Sequence, residues 1–302
     1  MNTIVDKRAP VNPFIAILIA IIFISSASII VRYSDAPAIV LAFYRVFLAS
    51  VILFLFNPAE VIKNIKNLSL RHLLLTFLAG FFLAVHFAAF ITSLRYTTIA
   101  NSVVLVDSAP LLTLALSYLI FKEKSNLLSI ISVIVSIIGV AIIGFSDQAY
   151  DADFFFGDML AVLGAVTLAA YLICSRMVRM SIELTPFLTL VYFFSSVLLA
   201  VFCIFTGESF FEYPKREYFL FFALALFPTI GGHSLFLYAL RYVKAYVVNL
   251  GFLGEPIGAP ILAYLLFNEL PSIYFYLGGS LILAGSITAI LQENKKRKRN
   301  NF

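Results

Sequence analysis

The stretch IISVIVSIIGVAII, residues 130–143, decides the fold of this chain. It contains no charged residue, and apolar side chains occupy both its odd and its even positions. A strand of an outer-membrane barrel alternates apolar and polar residues, whereas a helix in lipid is apolar over a sustained run. With its flanks the stretch reaches from residue 126 to 146, close to the roughly 20 residues that cross a bilayer core. The stretch therefore predicts a transmembrane helix.

The composition of the whole chain also indicates a membrane protein. Of the 302 residues, 62% are hydrophobic and 12% are charged, against about 25% charged residues in soluble domains. The mean hydropathy is +1.01. So few charges could not cover a soluble globular surface, and a disordered chain would not have so much apolar surface. We therefore predict an all-α membrane protein with many spans.

Ten spans follow one another, separated by short polar or proline-bearing stretches. The first, after Lys7 and Arg8, could also be a secretory signal peptide with Ser26 and Ser28 near a cleavage point. We favour a retained helix because the apolar run from Phe14 to Val31 is too long for the hydrophobic part of a signal peptide. The predicted spans are residues 13–32, 37–56, 72–94, 98–120, 126–146, 157–176, 185–206, 218–240, 245–267 and 272–291.

The basic residues predict the orientation of these spans. If the N-terminus is cytoplasmic, sixteen of the 21 Lys and Arg residues lie on the cytoplasmic side, four lie outside, and Arg45 lies within a span. Because positively charged loops stay in the cytoplasm, we predict a multi-pass protein of the plasma (inner) membrane with both termini cytoplasmic. The sixteen are Lys7, Arg8, Lys63, Lys66, Arg71, Lys122, Lys124, Arg176, Arg179, Arg241, Lys244 and the five residues of Lys295–Arg299; the four are Arg32, Arg95, Lys215 and Arg216.

The basic run Lys295–Arg299 near the C-terminus has two interpretations. Such runs bind nucleic acid in some proteins, and next to a membrane span they contact anionic lipid. We favour a contact with the lipid bilayer that anchors the topology, and we expect no nucleic-acid partner.

The second half of the chain repeats the first at an offset of 146 residues. Repeated Arg, Tyr, Pro and Glu residues at one offset are hard to obtain by chance, even in so apolar a chain. Each half holds five spans, an odd number, so the second copy must enter the membrane from the opposite side, as in many secondary transporters. The matches are Leu94-Arg95-Tyr96 with Leu240-Arg241-Tyr242, Pro110 with Pro256, Phe121-x-Glu123 with Phe267-x-Glu269, and Gly139 with Gly285.

The repeat predicts the organisation of the chain as ten transmembrane helices in two inverted five-helix repeats. The first repeat covers residues 13–146 and the second covers 157–291. Residues 1–12 form a cytoplasmic tail, 147–156 an external loop, and 292–302 a basic cytoplasmic tail.

These motifs, together with Arg45 within the aromatic segment Phe43-Tyr44-Arg45-Val46-Phe47, resemble the EamA-type members of the drug/metabolite transporter superfamily. The resemblance covers nearly the whole chain. It implies ten helices in two inverted halves, a central cavity, alternating access, and transport of amino acids or other small metabolites, often outward. The Trp-Gly pair usual in the first span of that family is replaced here by Ile24-Ser25.

Three charged residues fall near span centres: Arg45, Asp107 and Glu255. A charge at mid-bilayer costs about 2.5–3.5 kcal/mol on insertion scales, so such residues usually line functional sites. Asp107 and Glu255 stand just before the paired prolines, which free backbone carbonyls near the midplane. We expect Arg45 to bind a substrate carboxylate or to hold an acid in place, and the two acids to take a substrate amine or a coupling proton. The alternative is an ion pair of Arg45 with one acid that only fixes helix packing.

Other polar and aromatic residues have weaker cases. His86 and His233 lie inside spans, where histidine serves either proton transfer or polar helix contacts. We include both as possible substrate ligands, although the packing role is favoured. Tyr44, Phe90, Tyr171 and Tyr238 could stack on an apolar substrate. The repeat motif of Pro110, Glu123, Pro256 and Glu269 is expected to be structural, because a ligand need not be duplicated at both surfaces and a carboxylate before a helix complements its dipole.

Three classes of function remain for such a chain. A secondary transporter of small organic solutes leads, since the chain has no GxxxxGK[ST] loop for ATP. An intramembrane enzyme fits the sequence less well, because a paired-aspartate or HExxH site is absent from it. A channel or lipid scramblase is the third class. One arginine and two acids favour a zwitterion such as an amino acid over a nucleotide sugar. We expect no enzyme activity, no cofactor and no metal, and leave monomer or homodimer open.

Overall fold

A computed structural model describes residues 12–109, 111–113, 116, 127–148, 152–178, 182–239 and 251–300, in which every regular element is a helix. The helices are α1 (Pro13–Tyr33), α2 (Ala38–Phe56), α3 (Pro58–Lys66), α4 (Leu70–Tyr96), α5 (Ile99–Val106), α6 (Leu127–Gln148), α7 (Ala152–Val178), α8 (Leu184–Thr206), α9 (Lys215–Leu224), α10 (Ser234–Ala239), α11 (Glu255–Phe267) and α12 (Ile273–Asn300). A π-helix, Ala225–His233, joins α9 to α10.

Six of the described helical stretches are long and apolar enough to cross a membrane. They match the predicted spans one, two, three, six, seven and eight: Pro13–Tyr33, Ala38–Phe56, Leu70–Tyr96, Ala152–Ser175, Leu184–Thr206 and Lys215–Phe236. The predicted fifth, ninth and tenth spans contain shorter apolar helices, Ile130–Ile143, Glu255–Phe267 and Ile273–Thr288. The fourth and ninth spans fall partly outside the described residues, so the count of ten stays a prediction.

Three boundaries differ from the sequence prediction. The stretch after the second span contains α3, a short amphipathic helix that Asn57 caps by accepting the Glu60 N–H. Helix α7 begins at Ala152, inside the stretch predicted as an external loop, and α12 continues to Asn300 through the predicted basic tail. The segments that form α3 and the end of α12 are polar, and polarity does not exclude a helix outside the lipid. Residues 152–156, ADFFF, are mostly apolar and belong with the span that follows them. The division into two repeats, a loop and two tails stays a prediction.

The helix contacts are nearly unchanged when the two halves of the chain exchange places. Helix α4 packs on α7 and the α9–π–α10 segment packs on α1; likewise α4 packs on α8, and the same segment packs on α2. Helices α2 with α8, α5 with α11, and α6 with α12 pair across the two halves. A pseudo-twofold relation produces this pattern, so the structure fits the two-repeat layout.

The crossing of α6 and α12 shows how the two halves are oriented. A Cβ added to Gly139 would lie 2.5 Å from the carbonyl oxygen of Gly278 and 2.9 Å from Cγ1 of Ile282. A Cβ added to Gly285 would meet Ser136 and the carbonyl oxygen of Ser132. Later residues of α12 therefore face earlier residues of α6, and the two helices run antiparallel, as corresponding helices of inverted repeats must.

This close crossing predicts that Gly139→Val destabilises the protein. The new side chain would meet backbone, which cannot rotate away, so the helices must separate at a cost of about 1–3 kcal/mol. We expect the apparent Tm in detergent to fall by roughly 2–12 °C, measured by thermal unfolding. The control is Ser280→Leu, on the exposed face of α12; equal Tm values for the two variants would contradict the packing argument.

Candidate functional site

The two central acids lie where helices are interrupted. Asp107 caps the C-terminus of α5, immediately after Val106. Glu255 is the first residue of α11, and Pro256 follows it in the first turn. The prolines were expected to loosen the backbone here, and interrupted helices at midplane are typical of transporter sites. Pro110, the partner of Pro256 in the repeat, lies outside the described residues, as does Glu123.

The two acids line a cavity of about 40 Å³. It is lined by six of the nine residues predicted to bind substrate: Arg45, His86, Phe90, Asp107, His233 and Glu255. Four of them come from the first half of the chain and two from the second. Apolar side chains complete the wall, among them Phe87 and Phe252. Sequence reasoning thus identified the polar part of one shared cavity, and whether it binds substrate stays a prediction.

Arg45 is held in this cavity by two neutral contacts. Its Nε donates to Oγ1 of Thr229 at 2.8 Å, and its guanidinium carbon lies 4.1 Å from the centre of the Phe87 ring, which places the cation over the negative face of the ring. The side chain is 1% exposed, and its Nη1 has no hydrogen-bond partner among the described residues. Part of the hydrogen-bonding capacity of the guanidinium is therefore not used by the described residues.

The alternative role of Arg45 was a direct ion pair with one of the acids. Within the described part of the chain, the ion pairs join other residues, and none links Arg45 to Asp107 or Glu255. The cation and the two acids therefore face the same cavity without a direct ion pair between them.

The two acids have different electrostatic surroundings. Glu255 lies at the N-terminal end of α11, where a negative charge is favoured, and Asp107 lies at the C-terminal end of α5, where it is disfavoured. One carboxylate oxygen of Asp107, Oδ2, is buried and has no hydrogen-bond partner among the described residues. The end of α5 therefore disfavours a negative charge at Asp107, with helical structure resuming two residues later at Ala109, and the start of α11 favours one at Glu255.

The two histidines line the cavity from opposite halves. Nδ1 of His86 lies 2.9 Å from the carbonyl oxygen of Gly164 in α7. Since a carbonyl oxygen only accepts, Nδ1 carries the hydrogen, and in the neutral ring Nε2 is an acceptor. His86 thus makes the polar helix contact favoured from the sequence and also faces the cavity. His233 ends the π-helix, beside the ring of Phe252.

Three predicted aromatic residues do not line the cavity. The ring of Tyr44 stacks on Phe221 with centres 4.4 Å apart, and its hydroxyl donates to the carbonyl oxygen of Phe210 at 2.6 Å. Tyr171, in α7, and Tyr238, in α10, also lie away from the cavity wall. These residues were predicted from their depth in the membrane along each span. Depth alone does not determine which side of the helix a side chain faces. Phe87, one residue after His86, was missed.

A polar network links several helix ends on one side of the bundle. Glu269 forms an ion pair with Arg32, 3.4 Å apart, and accepts the N–H of Ile99 at 2.5 Å. Arg32 also donates to the carbonyl oxygen of Thr97 at 3.1 Å, while the Thr97 hydroxyl donates to Asp158 at 2.7 Å. These contacts join α1, α5, α7 and the end of α11. All of these ends were predicted to lie outside the membrane on the external side.

Glu269 was predicted to be structural through its own following helix. Its carboxylate instead meets the N-terminus of α5, a different helix, and the cation of Arg32. Ser272 caps the following helix, accepting the N–H of Phe275 at 3.2 Å. The dipole argument therefore applies to a neighbouring helix rather than to α12.

We expect Glu269→Ala to open this end of the molecule. Losing an ion pair and a hydrogen bond to a charged acceptor costs about 1–2 kcal/mol, which changes an open-to-closed ratio roughly 5- to 30-fold. A cysteine at the cavity-lining position Ala27, with Cys174 and Cys203 replaced by serine, reports access to an impermeant thiol reagent. The labelling rate should rise in Glu269→Ala and not in the control Glu60→Ala, which alters α3. Equal rates in all three proteins would show that the network does not close the cavity.

Metal binding finds little support in this cavity. Among the residues that the structure describes, no group of three or more His, Cys, Asp or Glu side chains is arranged to hold a metal ion. The expectation of a site without metal or cofactor stays a prediction.

Comparisons with known proteins give the chain a family. It matches the EamA-like transporter family over residues 12–145 and 155–291. It is 28% identical to "Uncharacterized transporter sll1164" of Synechocystis, over 81% of this chain and 73% of that protein. It is 25% identical to "Uncharacterized transporter YdfC" of Bacillus subtilis, over 85% of this chain and 83% of that protein. A crystal structure with 16% identity covers 94% of this chain and 98% of its own with a TM-score of 0.65, which shows that the fold is shared.

Proposed function

This chain belongs to the EamA-like transporter family, and from that premise we propose that it is a secondary transporter of small organic solutes. The proposed solutes are zwitterions such as amino acids, moved by alternating access through a site near the midplane of ten spans. We propose that the protein lies in the plasma membrane and that transport runs outward. The outward direction rests on the family resemblance alone.

The observation that carries this proposal is the cavity shared by the two halves of the chain. It presents one cation, Arg45, and two acids, Asp107 and Glu255, among apolar walls. Burying these charges is costly, and no ion pair between them offsets the cost within the described residues. A zwitterion would satisfy both signs at once, whereas a nucleotide sugar would require more than one basic group.

The proposed roles follow from the surroundings of each group. Arg45 binds the substrate carboxylate, because a guanidinium edge matches two carboxylate oxygens. Glu255 binds the amine, since the start of α11 supports its negative charge. Asp107 carries the coupling proton, and His86 and His233 contact the solute with their neutral rings. An ammonium bound at Glu255 brings a positive charge into the cavity that Asp107 also lines, and this favours release of the proton from Asp107. The coupling is therefore proposed to be an exchange of solute for protons.

The size of the cavity indicates the state of the molecule. A volume of about 40 Å³ accommodates roughly three water molecules and not an amino acid. The bundle must therefore open before a solute enters, and the Arg32–Glu269 network is the barrier at one end. This need for opening is what alternating access supplies, and it argues against a permanently open channel.

The proposal is tested by uptake into proteoliposomes. A panel of amino acids, organic acids and cationic drugs is offered with and without a pH gradient, against empty liposomes. We expect saturable uptake of amino acids that compete with one another and that respond to the gradient. Fast, unsaturated flux would indicate the channel or scramblase alternative, and uptake restricted to drugs without a carboxylate would contradict the zwitterion assignment. An enzyme is disfavoured because the named relatives are transporters.

A further inference from the structure

The π-helix Ala225–His233 holds a threonine directly against Arg45. Thr229 is 0% exposed, and its hydroxyl donates to the carbonyl oxygen of Leu224 at 2.8 Å. The same hydroxyl accepts the Nε–H of Arg45 at 2.8 Å. A hydroxyl has one proton to donate and two lone pairs to accept with. Since the proton is committed to Leu224, the oxygen lone pairs face Arg45, and the direction of the second bond is fixed.

The wide π-turn makes this arrangement. The backbone hydrogen bonds of a π-helix connect residues five apart. Such helices are rare, usually consist of a single turn within an α-helix, and are frequent at functional sites. Leu224 and Thr229 are five residues apart, and His233, four residues further on, lines the same cavity. The segment is held against α1, where a Cβ on Gly231 would come within 2.6 Å of the Phe23 ring. The position of Thr229 is therefore set by the packing of α1 and the π-helix.

Arg45 is consequently fixed at two places. Thr229 holds Nε, and the Phe87 ring lies 4.1 Å beneath the guanidinium carbon. A guanidinium has five N–H groups in a planar fork, so one contact at Nε leaves the terminal nitrogens, including the unpartnered Nη1. An arginine that is already oriented loses less side-chain freedom when it binds a carboxylate with two parallel hydrogen bonds.

We propose that Thr229 is a positioning residue for substrate recognition: its hydroxyl orients Arg45 so that the guanidinium receives a carboxylate. This inference rests on the proposed function, since it assigns a carboxylate group to the transported solute. It adds a residue from the second half of the chain to a contact whose cation comes from the first half. Thr229 acts through Arg45 and does not itself need to touch the solute.

The test compares Thr229→Val, which keeps the shape and removes the hydroxyl, with Thr229→Ser, which keeps the hydroxyl. L-leucine and L-leucinamide are the probes, because the amide lacks the carboxylate and keeps the amine and the side chain. We expect Thr229→Val to raise KM for leucine about tenfold with the maximal rate within about twofold. Interaction with leucinamide should not change, and Thr229→Ser should restore the leucine KM. The matched control is Thr76→Val, a buried threonine bonded within α4.

Several outcomes would overturn the inference. Equal losses for leucine and leucinamide, or a fall in maximal rate without a change in KM, would give Thr229 a merely structural role. If Thr229→Val and Thr229→Ala fail to fold while Thr229→Ser behaves as wild type, the hydroxyl serves folding and the inference is wrong.

Binding separates this inference from the proposed function. The leucine-induced rise in Tm of the solubilised protein is measured alongside transport. Binding to the wild type that weakens in Thr229→Val, without transport, would contradict the transport function and support the role of Thr229. Transport with equal leucine affinity in wild type and Thr229→Val would support the transport function and contradict the role of Thr229. A wild type that neither binds nor transports leucine or any other amino acid of the panel contradicts both.

Discussion

Arg45→Gln is expected to lower the apparent affinity for carboxylate-bearing solutes roughly 10- to 150-fold. A hydrogen bond to a charged group contributes about 1.5–3 kcal/mol, and each 1.4 kcal/mol is a factor of ten. Glutamine removes the positive charge and the planar fork, and it leaves Asp107 and Glu255 facing one cavity without a cation. The measurement is the concentration dependence of amino-acid uptake into proteoliposomes, together with the Tm of the purified variant.

Two further variants separate charge from geometry. Arg45→Lys keeps a positive charge but not the fork that matches two carboxylate oxygens, so its affinity should fall between those of the wild type and Arg45→Gln. Arg71→Gln, at an exposed position near the start of α4, is the control for loss of a positive charge. Unchanged affinity in Arg45→Gln with a lowered Tm would assign Arg45 to helix packing alone.

The membrane spans were predictable because each depends on a local property. A helix in lipid needs about 20 apolar residues, and α1, α2, α4 and α8 follow long runs of this kind in the sequence. The inverted layout was predictable for a similar reason. The match of Gly139 with Gly285 at the repeat offset is present in the sequence alone. The structure adds that both glycines lie where α6 crosses α12.

Side-chain orientation was less accessible to sequence reasoning. Tyr44 and Arg45 are adjacent, yet neighbouring residues point about 100° apart around a helix, and only Arg45 reaches the cavity. His86 and Phe90 are four residues apart, a spacing that places both on one helix face. Sequence reasoning estimated the depth of each residue along its span, and the rotation of the span depends on packing between distant segments.

The π-helix was missed for a different reason. The stretch Ala225–His233 contains Pro228, Gly231 and Gly232, and these residues indicate an irregular backbone without saying which kind. Its form depends on the approach of α1, where Phe23 lies against Gly231. Thr229 gave no signal either, because hydroxyl residues are common in membrane helices and usually bond within their own helix. Its contact with Arg45 joins residues 184 positions apart.

Replacement of Asp107 by asparagine is expected to remove the response to a pH gradient while solute exchange continues. For one proton exchanged per solute, a gradient of one pH unit is worth about 1.4 kcal/mol, so it should change wild-type accumulation about tenfold. Asparagine has nearly the same shape and cannot release a proton. Accumulation by Asp107→Asn should therefore be equal with and without the gradient, as measured by uptake of labelled amino acid at several imposed gradients.

The position of Asp107 explains why the proton is assigned there rather than to Glu255. The C-terminal end of α5 opposes a negative charge at Asp107, whereas the N-terminal end of α11 supports one at Glu255. Glu255→Gln should accordingly weaken amino-acid binding and keep the pH response of the remaining transport, the opposite pattern to Asp107→Asn. Asp153→Asn, at an exposed position near the start of α7, is the control for loss of a carboxylate. The proposed roles would be reversed if Asp107→Asn kept gradient-driven accumulation and Glu255→Gln lost it. The coupling proton would then be assigned to Glu255.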